Sequence, residues 1–242
     1  MKHRPKVLLA CPIAQEKEYC FDFFAEQILN FDYDNYEILL VDNSNGYDFK
    51  KKIKAKGINV IHQPRGKKFP TEFICDSMNT IRNYFLKGNY DYLFILEADV
   101  FVPKDTIQYL VNYGLPVHNI TYFIDGINGR TICLQSINRS LGRTKVLEPE
   151  CAEVAFTGEV KEFIDYQIDA NTTLIGSGYG CTLIAREVVR HIPFRIEWSN
   201  DKKMAKPTFP DTYFHNDLNT LGIANYLNTE RLANHYNSTW KV

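Results

Sequence analysis

The sequence predicts an α/β domain built on a mostly parallel sheet. Short, continuous apolar runs closed by polar residues or proline alternate with longer segments of helical periodicity. Three such strand–helix pairs are followed by a fourth, strongly apolar strand, the order that right-handed crossovers require of a parallel sheet covered on both faces. The 242 residues fit one compact domain of this class.

The elements follow in order. Val7-Leu8-Leu9-Ala10-Cys11, ended by Pro12, reads as a buried parallel strand. Glu16 to Asn30 carries Tyr19, Cys20, Phe23, Phe24, Ile28 and Leu29 at helical spacing. Ile38 to Val41 is a second strand, stopped by Asp42-Asn43-Ser44-Asn45-Gly46. A short helix is expected over Tyr47 to Lys56, then a third strand at Asn59-Val60-Ile61. Phe73, Ile74, Met78, Ile81 and Phe85 give Thr71 to Leu86 a helical stripe, and Tyr92 to Leu96 is the fourth strand. The second half is less regular. Helices are expected at Pro103 to Asn112, Arg186 to His191 and Tyr213 to Leu221, the last closed by Gly222. Strands are expected at Ile120 to Phe123, Thr131 to Leu134, Thr173 to Ser177 and Cys181 to Ile184. Residues 1–115 and 116–242 are read as two halves of one domain.

Composition narrows the function. With 45% hydrophobic and 24% charged residues the chain can bury a substantial core. A formal net charge of -1 gives no nucleic-acid footprint, leaving nucleic acid open only as an acceptor. None of the six cysteines forms a CxxC pair, which argues against a zinc site; Cys11, Cys133 and Cys181 read as buried hydrophobes. The apolar run behind the basic N-terminus is too short for a signal peptide. No stretch approaches the ~20 apolar residues that span a bilayer, so no integral membrane segment and a cytoplasmic location are expected.

In open α/β sheets, ligands bind outside the carboxyl ends of the strands. That rule selects Pro12-Ile13-Ala14, Asp42-Asn43-Ser44, His62-Gln63-Pro64 and Glu97-Ala98-Asp99. Glu97 and Asp99 stand two apart, which on an extended strand places both carboxylates on one face, within reach of one divalent cation. The alternative is a solvated turn after a buried strand. Asp211 follows a proline and precedes a helix, where an acid can cap the helix or act as a general base. Arg65, Lys67 and Lys68 begin at the ligand edge and read either as a solvated loop or as a pyrophosphate contact. Gly178 and Gly180 read as a tight turn or a place of close substrate approach. His215 reads as structural, with an acceptor contact as the second reading.

Arg82-Asn83, then Asp91 to Val100 with Glu97-Ala98-Asp99 at the strand end, then Pro103, resembles the central signature of nucleotide-sugar glycosyltransferases with the GT-A fold, especially the inverting family 2. Val41-Asp42-Asn43-Ser44, Gly178 to Arg186, Asp211-Thr212-Tyr213-Phe214 and His235 are similar to further segments of that family, in the same order. The resemblance implies a Rossmann-like GT-A sheet flanked by helices, with a donor half before an acceptor and catalytic-base half. It implies transfer of a single sugar from a UDP- or GDP-sugar to an acceptor hydroxyl, with inversion and with Mn²⁺ or Mg²⁺. Carried over residue by residue, Pro12, Ala14, Asp42, Ser44, Arg82, Glu97, Ala98 and Asp99 would bind the donor. Asp99, Glu97 and His235 would hold the metal, and Asp211 would be the base. Two positions depart from the pattern: Glu97 replaces the usual Asp, and Pro210-Asp211 replaces a pair of acids. Absence of a Gln-x-x-Arg-Trp motif favours single transfer over polymerisation. Two other functions compete. A nucleotidyltransferase making nucleotide sugars needs a Gly-rich, basic loop after the first strand, whereas Pro12 to Glu16 contains no Gly, Lys or Arg. A non-catalytic carbohydrate- or nucleotide-binding module would keep the fold without turnover.

Overall fold

The structure, a computed structural model, describes residues 4–122, 134–138, 155–157, 172–197 and 209–236. β1 (Val7–Ile13) sits inside the sheet because both of its faces are apolar. Val7, Leu9, Cys11 and Ile13 enter one core layer, while Leu8 and Ala10 enter the other. β2 (Tyr36–Asp42) pairs with it in parallel on one side and β4 (Tyr92–Leu96) in parallel on the other. The short β3 (Val60–His62) extends β2 at the edge, also in parallel.

The helices cover both faces. On one, α1 (Glu18–Leu29) buries Phe21, Phe24 and Ile28, α2 (Asp48–Ala55) buries Phe49 and Ile53, and α4 (Thr106–Tyr113) buries Ile107 and Leu110. On the other, α3 (Pro70–Lys87) buries Cys75, Met78, Ile81 and Phe85. Beside it lie α5 (Arg186–His191) with Val188 and Val189, and α6 (Pro210–Thr220) with Phe214 and Leu218.

Beyond β4 the sheet becomes mixed. β10 (Cys181–Ala185) runs antiparallel to β4 and to β6 (Val117–Tyr122). β11 (Tyr226–His235) runs parallel to β6 and, at its far end, antiparallel to β5 (Val100–Phe101). The order is β3-β2-β1-β4-β10-β6-β11-β5, with β8 (Ala155–Thr157) against β11. β7 (Leu134–Asn138) and β9 (Thr172–Ser177) form a separate antiparallel pair.

Several boundaries differ from the sequence pattern. A 3-10 turn at Gln15–Lys17 precedes α1, which therefore starts at Glu18. Proline sets φ for the first helical turn, so α6 starts at Pro210, three residues before the expected Tyr213. α4 starts at Thr106 because Pro103 lies in a turn that receives the Thr106 N–H. β6 begins at Val117 and contains the buried polar residues His118, Asn119 and Thr121, which hide it from an apolar search. β11 was equally hidden by Asn228, Glu230, Arg231 and Asn234. Polar side chains of both strands find internal partners: Asn119 of β6 donates to Asn225 at 2.7 Å and to the Tyr226 carbonyl at 2.9 Å, and Arg231 of β11 forks onto Asp105. Residues 131–133 of the expected strand, with Cys133 and Cys151, lie outside the described residues. Cys11, Cys20, Cys75 and Cys181 are buried free thiols. Among the described residues no helix is long and apolar enough to cross a membrane.

His118 ties acid stability to this architecture. Burial pushes its imidazole down to about 4, against a hydrogen bond with the Leu110 backbone. The unfolded chain, with an imidazole near its ordinary ~6.5, binds this proton first as pH falls. Its contribution is therefore complete above about pH 6.5 and lost on descent towards pH 4, by roughly 2–3 kcal/mol. His118→Gln should flatten this part of the stability profile, measured by urea unfolding at intervals from pH 7 to 4. Equal slopes in the two proteins would assign the acid loss elsewhere.

Candidate active site

The carboxyl ends of β1 to β4 meet at one edge, and the loops there are stitched together. The Asn43 N–H donates to the Ile13 carbonyl at 2.8 Å, and the Gln15 N–H donates to Ser44 Oγ at 2.8 Å. Asp42 is fully buried. Its Oδ1 accepts the Ser44 N–H at 3.0 Å and its Oδ2 lies 2.9 Å from His62 Nδ1, which must carry the proton because a carboxylate only accepts. The Tyr47 ring lies over His62 at 4.4 Å between centroids. Asp42 thus fixes the loop and the imidazole from beneath. Above that loop Gln15, Glu16, Ser44, Asn45, Gly46 and Arg65 line a polar pocket of about 290 Å³. A larger hollow of about 420 Å³ lies at the opposite edge, around the start of β2; its acid, Glu37, already binds Lys6 and Tyr90.

β4 stops at Leu96, and Glu97 to Val100 form a turn in which the Val100 N–H donates to the Glu97 carbonyl at 3.0 Å. The i, i+2 rule for strands therefore does not govern Glu97 and Asp99. The Glu97 N–H is anchored on the Gly180 carbonyl at 3.0 Å, and Cys20 Sγ contacts the Ala98 carbonyl at 3.4 Å. Glu97 is partly buried. Burial pushes its carboxyl up to about 7, with the Asp99 charge and, less strongly, the Asp211 charge adding to the rise and Lys17 opposing it.

Asp99 is the electrostatic centre of the edge. Its Oδ2 meets the Lys17 ammonium in an ion pair, the Tyr19 hydroxyl at 3.3 Å and His235 Nε2 at 3.3 Å. Burial resists ionisation, but His235 and Lys17 hold the carboxyl down at about 2. Asp99 Oδ1 is buried and has no hydrogen-bond partner among the described residues. The backbone reinforces the placement, because the Tyr236 N–H donates to the Asp99 carbonyl at 2.6 Å. His235 rests against the Tyr122 ring, 5.4 Å between centroids. Gly180 is needed for that ring: its N–H donates to the Tyr122 hydroxyl at 3.2 Å, and a Cβ there would run into the ring. Gly180 thus serves the packing of the Tyr122 ring.

The remaining expected residues divide. Asp211 lies in the first turn of α6, after Phe209 at the N-cap and Pro210, and its Oδ1 accepts the Thr212 N–H at 2.8 Å. It is close enough for its charge to act on Glu97. Pro12, Ala14 and Ser44 border the edge, with Ser44 buried as a hydrogen-bond acceptor for the loop. Arg65 is paired with Glu16, and Lys68 with Asp76. His215 is buried in α6, its Nδ1 3.0 Å from Asn225 Nδ2. Arg82 does not reach the crevice. It sits thirteenth in α3, roughly 18 Å along the helix from its start at that edge, and donates to the carbonyls of Val189 and Arg190, each at 2.8 Å. Arg186 returns the favour from α5, donating to the Leu86 and Tyr90 carbonyls at 3.0 and 2.9 Å. Each arginine closes the C-terminal end of the other's helix.

Lys17, Tyr19, Tyr122 and Tyr236 were not singled out by sequence. The loop after β1 lacks a cation only as far as Glu16, and the 3-10 turn places the next residue, Lys17, on Asp99.

No family model and no curated protein matches the chain by sequence. Solved structures do match its shape. A Pyrobaculum calidifontis mannosyltransferase in complex with GDP-Man and Mn²⁺ superposes with a TM-score of 0.58 at 12% identity, over 97% of this chain and 57% of that one. Glucosyl-3-phosphoglycerate synthase from Mycobacterium tuberculosis gives 0.56 at 14% identity, over 96% and 72%. S. aureus TarS in complex with UDP gives 0.53 at 13% identity, over 95% and 60%. With the strand order above, these superpositions decide the architecture. The chain has the GT-A fold. It spans little more than half of the mannosyltransferase chain.

On this GT-A sheet no three His, Cys, Asp or Glu side chains among the described residues are gathered closely enough to hold a metal ion. The pair Asp99 and His235, with the buried unpartnered Asp99 Oδ1, nevertheless fits a divalent cation that takes its other ligands from water and substrate phosphate.

The placement of Arg82 has a direct consequence. Arg82→Ala should lower stability by roughly 1–3 kcal/mol, since two hydrogen bonds from a charged group are lost. Its affinity for UDP or GDP at a temperature where it is folded should stay within about twofold of wild type. Thermal unfolding and calorimetric titration measure the two effects.

Proposed function

We propose that this protein is a nucleotide-sugar glycosyltransferase that moves one sugar to an acceptor hydroxyl with inversion. The observation that carries the reading is the gathering of Asp99, Glu97, His235 and Lys17, with Asp211 beside them, at the ligand edge of a GT-A sheet. It is supported by neighbours of the same fold solved in complex with GDP-Man and Mn²⁺, with UDP-GlcNAc, and with UDP and Mn²⁺.

In this reading residues 1–115 bind a UDP- or GDP-sugar and residues 116–242 bring the acceptor and the base. The nucleoside enters the polar pocket between the loops after β1 and β2, where Ser44, Asn45 and Arg65 offer hydrogen-bonding groups and Pro12 and Ala14 form the adjoining rim. Asp42 acts from beneath by holding that loop and His62. Asp99 and His235 would hold the Mn²⁺ or Mg²⁺, with Glu97 acting through water or the donor sugar. Such a cation supplies charge neutralisation for the departing nucleoside diphosphate. Ala98 fixes the turn that presents both acids. Asp211 takes the proton from the acceptor hydroxyl as that oxygen attacks the anomeric carbon from the face opposite the diphosphate. A single displacement of this kind inverts the anomeric centre.

Asp99→Ala should lose on the order of 10²-fold or more of donor turnover while keeping its circular dichroism spectrum. Turnover is read as UDP or GDP released from a panel of nucleotide sugars with Mn²⁺. Wild-type rates in Asp99→Ala would overturn the reading, and pyrophosphate release from a nucleoside triphosphate would replace it with nucleotidyl transfer. Asp211→Asn should lower kcat by about 10²–10⁴-fold with nucleotide affinity nearly unchanged, separating the base from the donor site in a titration calorimeter.

A further inference from the structure

We propose that Lys17 is an exchangeable cation: it neutralises Asp99 in the empty site, is displaced when a divalent cation binds there, and then pairs with the donor diphosphate. The inference rests on the glycosyltransferase reading above and adds to it a donor-binding residue that the motifs do not contain.

Lys17 ends a 3-10 turn whose backbone is fixed at both sides. Its own N–H donates to the Ala14 carbonyl at 2.9 Å, and the Gln15 N–H is held by Ser44. The turn thus aims the lysine stem across the edge towards Glu97–Asp99. The two ends of the ion pair differ in exposure: the Asp99 side chain is 4% exposed and that of Lys17 is 39% exposed. The acid is locked in place, whereas the ammonium sits on a flexible four-carbon stem with a way out to solvent.

Asp99 Oδ2 is already crowded by Lys17, Tyr19 and His235. A divalent cation held by this carboxylate through its open Oδ1 stands close to the ammonium on Oδ2 and repels it. At ~4 Å and an effective dielectric of ~20, one unit charge repels another by about 4 kcal/mol, and a double charge repels twice as strongly. The anion that arrives with the cation is the diphosphate, and a displaced lysine rooted in the loop beside the nucleoside pocket is placed to receive it.

Lys17→Met keeps the stem and removes the charge, and Lys17→Arg keeps the charge. Two titrations on each folded protein decide the matter: Mn²⁺ binding without nucleotide, followed by the paramagnetic resonance of free Mn²⁺, and binding of UDP and GDP at saturating Mn²⁺, followed by calorimetry. The exchange requires opposite shifts in Lys17→Met, with Mn²⁺ bound about tenfold more tightly and the nucleoside diphosphate about tenfold more weakly, while Lys17→Arg stays near wild type in both. Losses in both titrations would assign Lys17 a merely structural role and overturn the proposal. Tighter Mn²⁺ with unchanged nucleotide affinity would also overturn it, leaving only a counter-ion. Wild type that binds both ligands and a Lys17→Met that matches it would end this inference alone. Wild type that binds neither would end the glycosyltransferase reading with it.

Discussion

Burial of β1 on both faces, with a parallel partner along each edge, is the constraint from which the rest follows. A strand with no polar face and both ladders filled can be entered and left only at its ends. The chain must return over the sheet in helices, and every strand from β1 to β4 then delivers its polar termination to the same edge. β10 continues the logic in reverse. It pairs antiparallel with β4, so its start lies beside the end of β4, and Gly180 meets Glu97 through the backbone. The acids at the edge are positioned by this strand pairing before any ligand is considered.

At that edge the governing quantity is charge in a poorly solvated place. A carboxylate as enclosed as Asp99 is tolerated only when donors surround it, and the three that do so come from three separate parts of the chain: the turn before α1, the first turn of α1, and the end of β11. Glu97, two residues away but with weaker compensation, rises to about 7 where Asp99 falls to about 2. Near-identical acids two positions apart are thus given different character by their surroundings.

The same architecture is built at 12–14% identity in the mannosyltransferase and the glucosyl-3-phosphoglycerate synthase, which is intelligible if what is shared is pattern more than particular side chains. Apolar residues of comparable size can fill either face of β1, and helix ends can be closed in many ways. Arg82 and Arg186 illustrate the point. Both belong to segments that resemble the family, yet here they clasp the ends of α3 and α5, an exchange that can be read only once the two helices are seen side by side.

Sequence alone determined the alternation that makes β1 to β4 and their helices, because continuous apolar runs and helical stripes are local signals. It also determined which residues end the strands, and hence that Asp42, Glu97 and Asp99 share an edge. Tertiary structure decided what those residues do there. It buried Asp42 beneath its own loop, turned Glu97 away from the strand geometry assumed for it, placed Lys17 on Asp99 and took Arg82 out of the crevice. It also built β6 and β11 from polar residues such as Asn119, Asn228 and Arg231, whose partners lie as much as 126 positions away in the chain. Hydrogen bonds and ion pairs formed over such separations leave no periodic trace in the sequence, since each half of the pair is locally just a polar residue, and only the folded sheet brings the halves together.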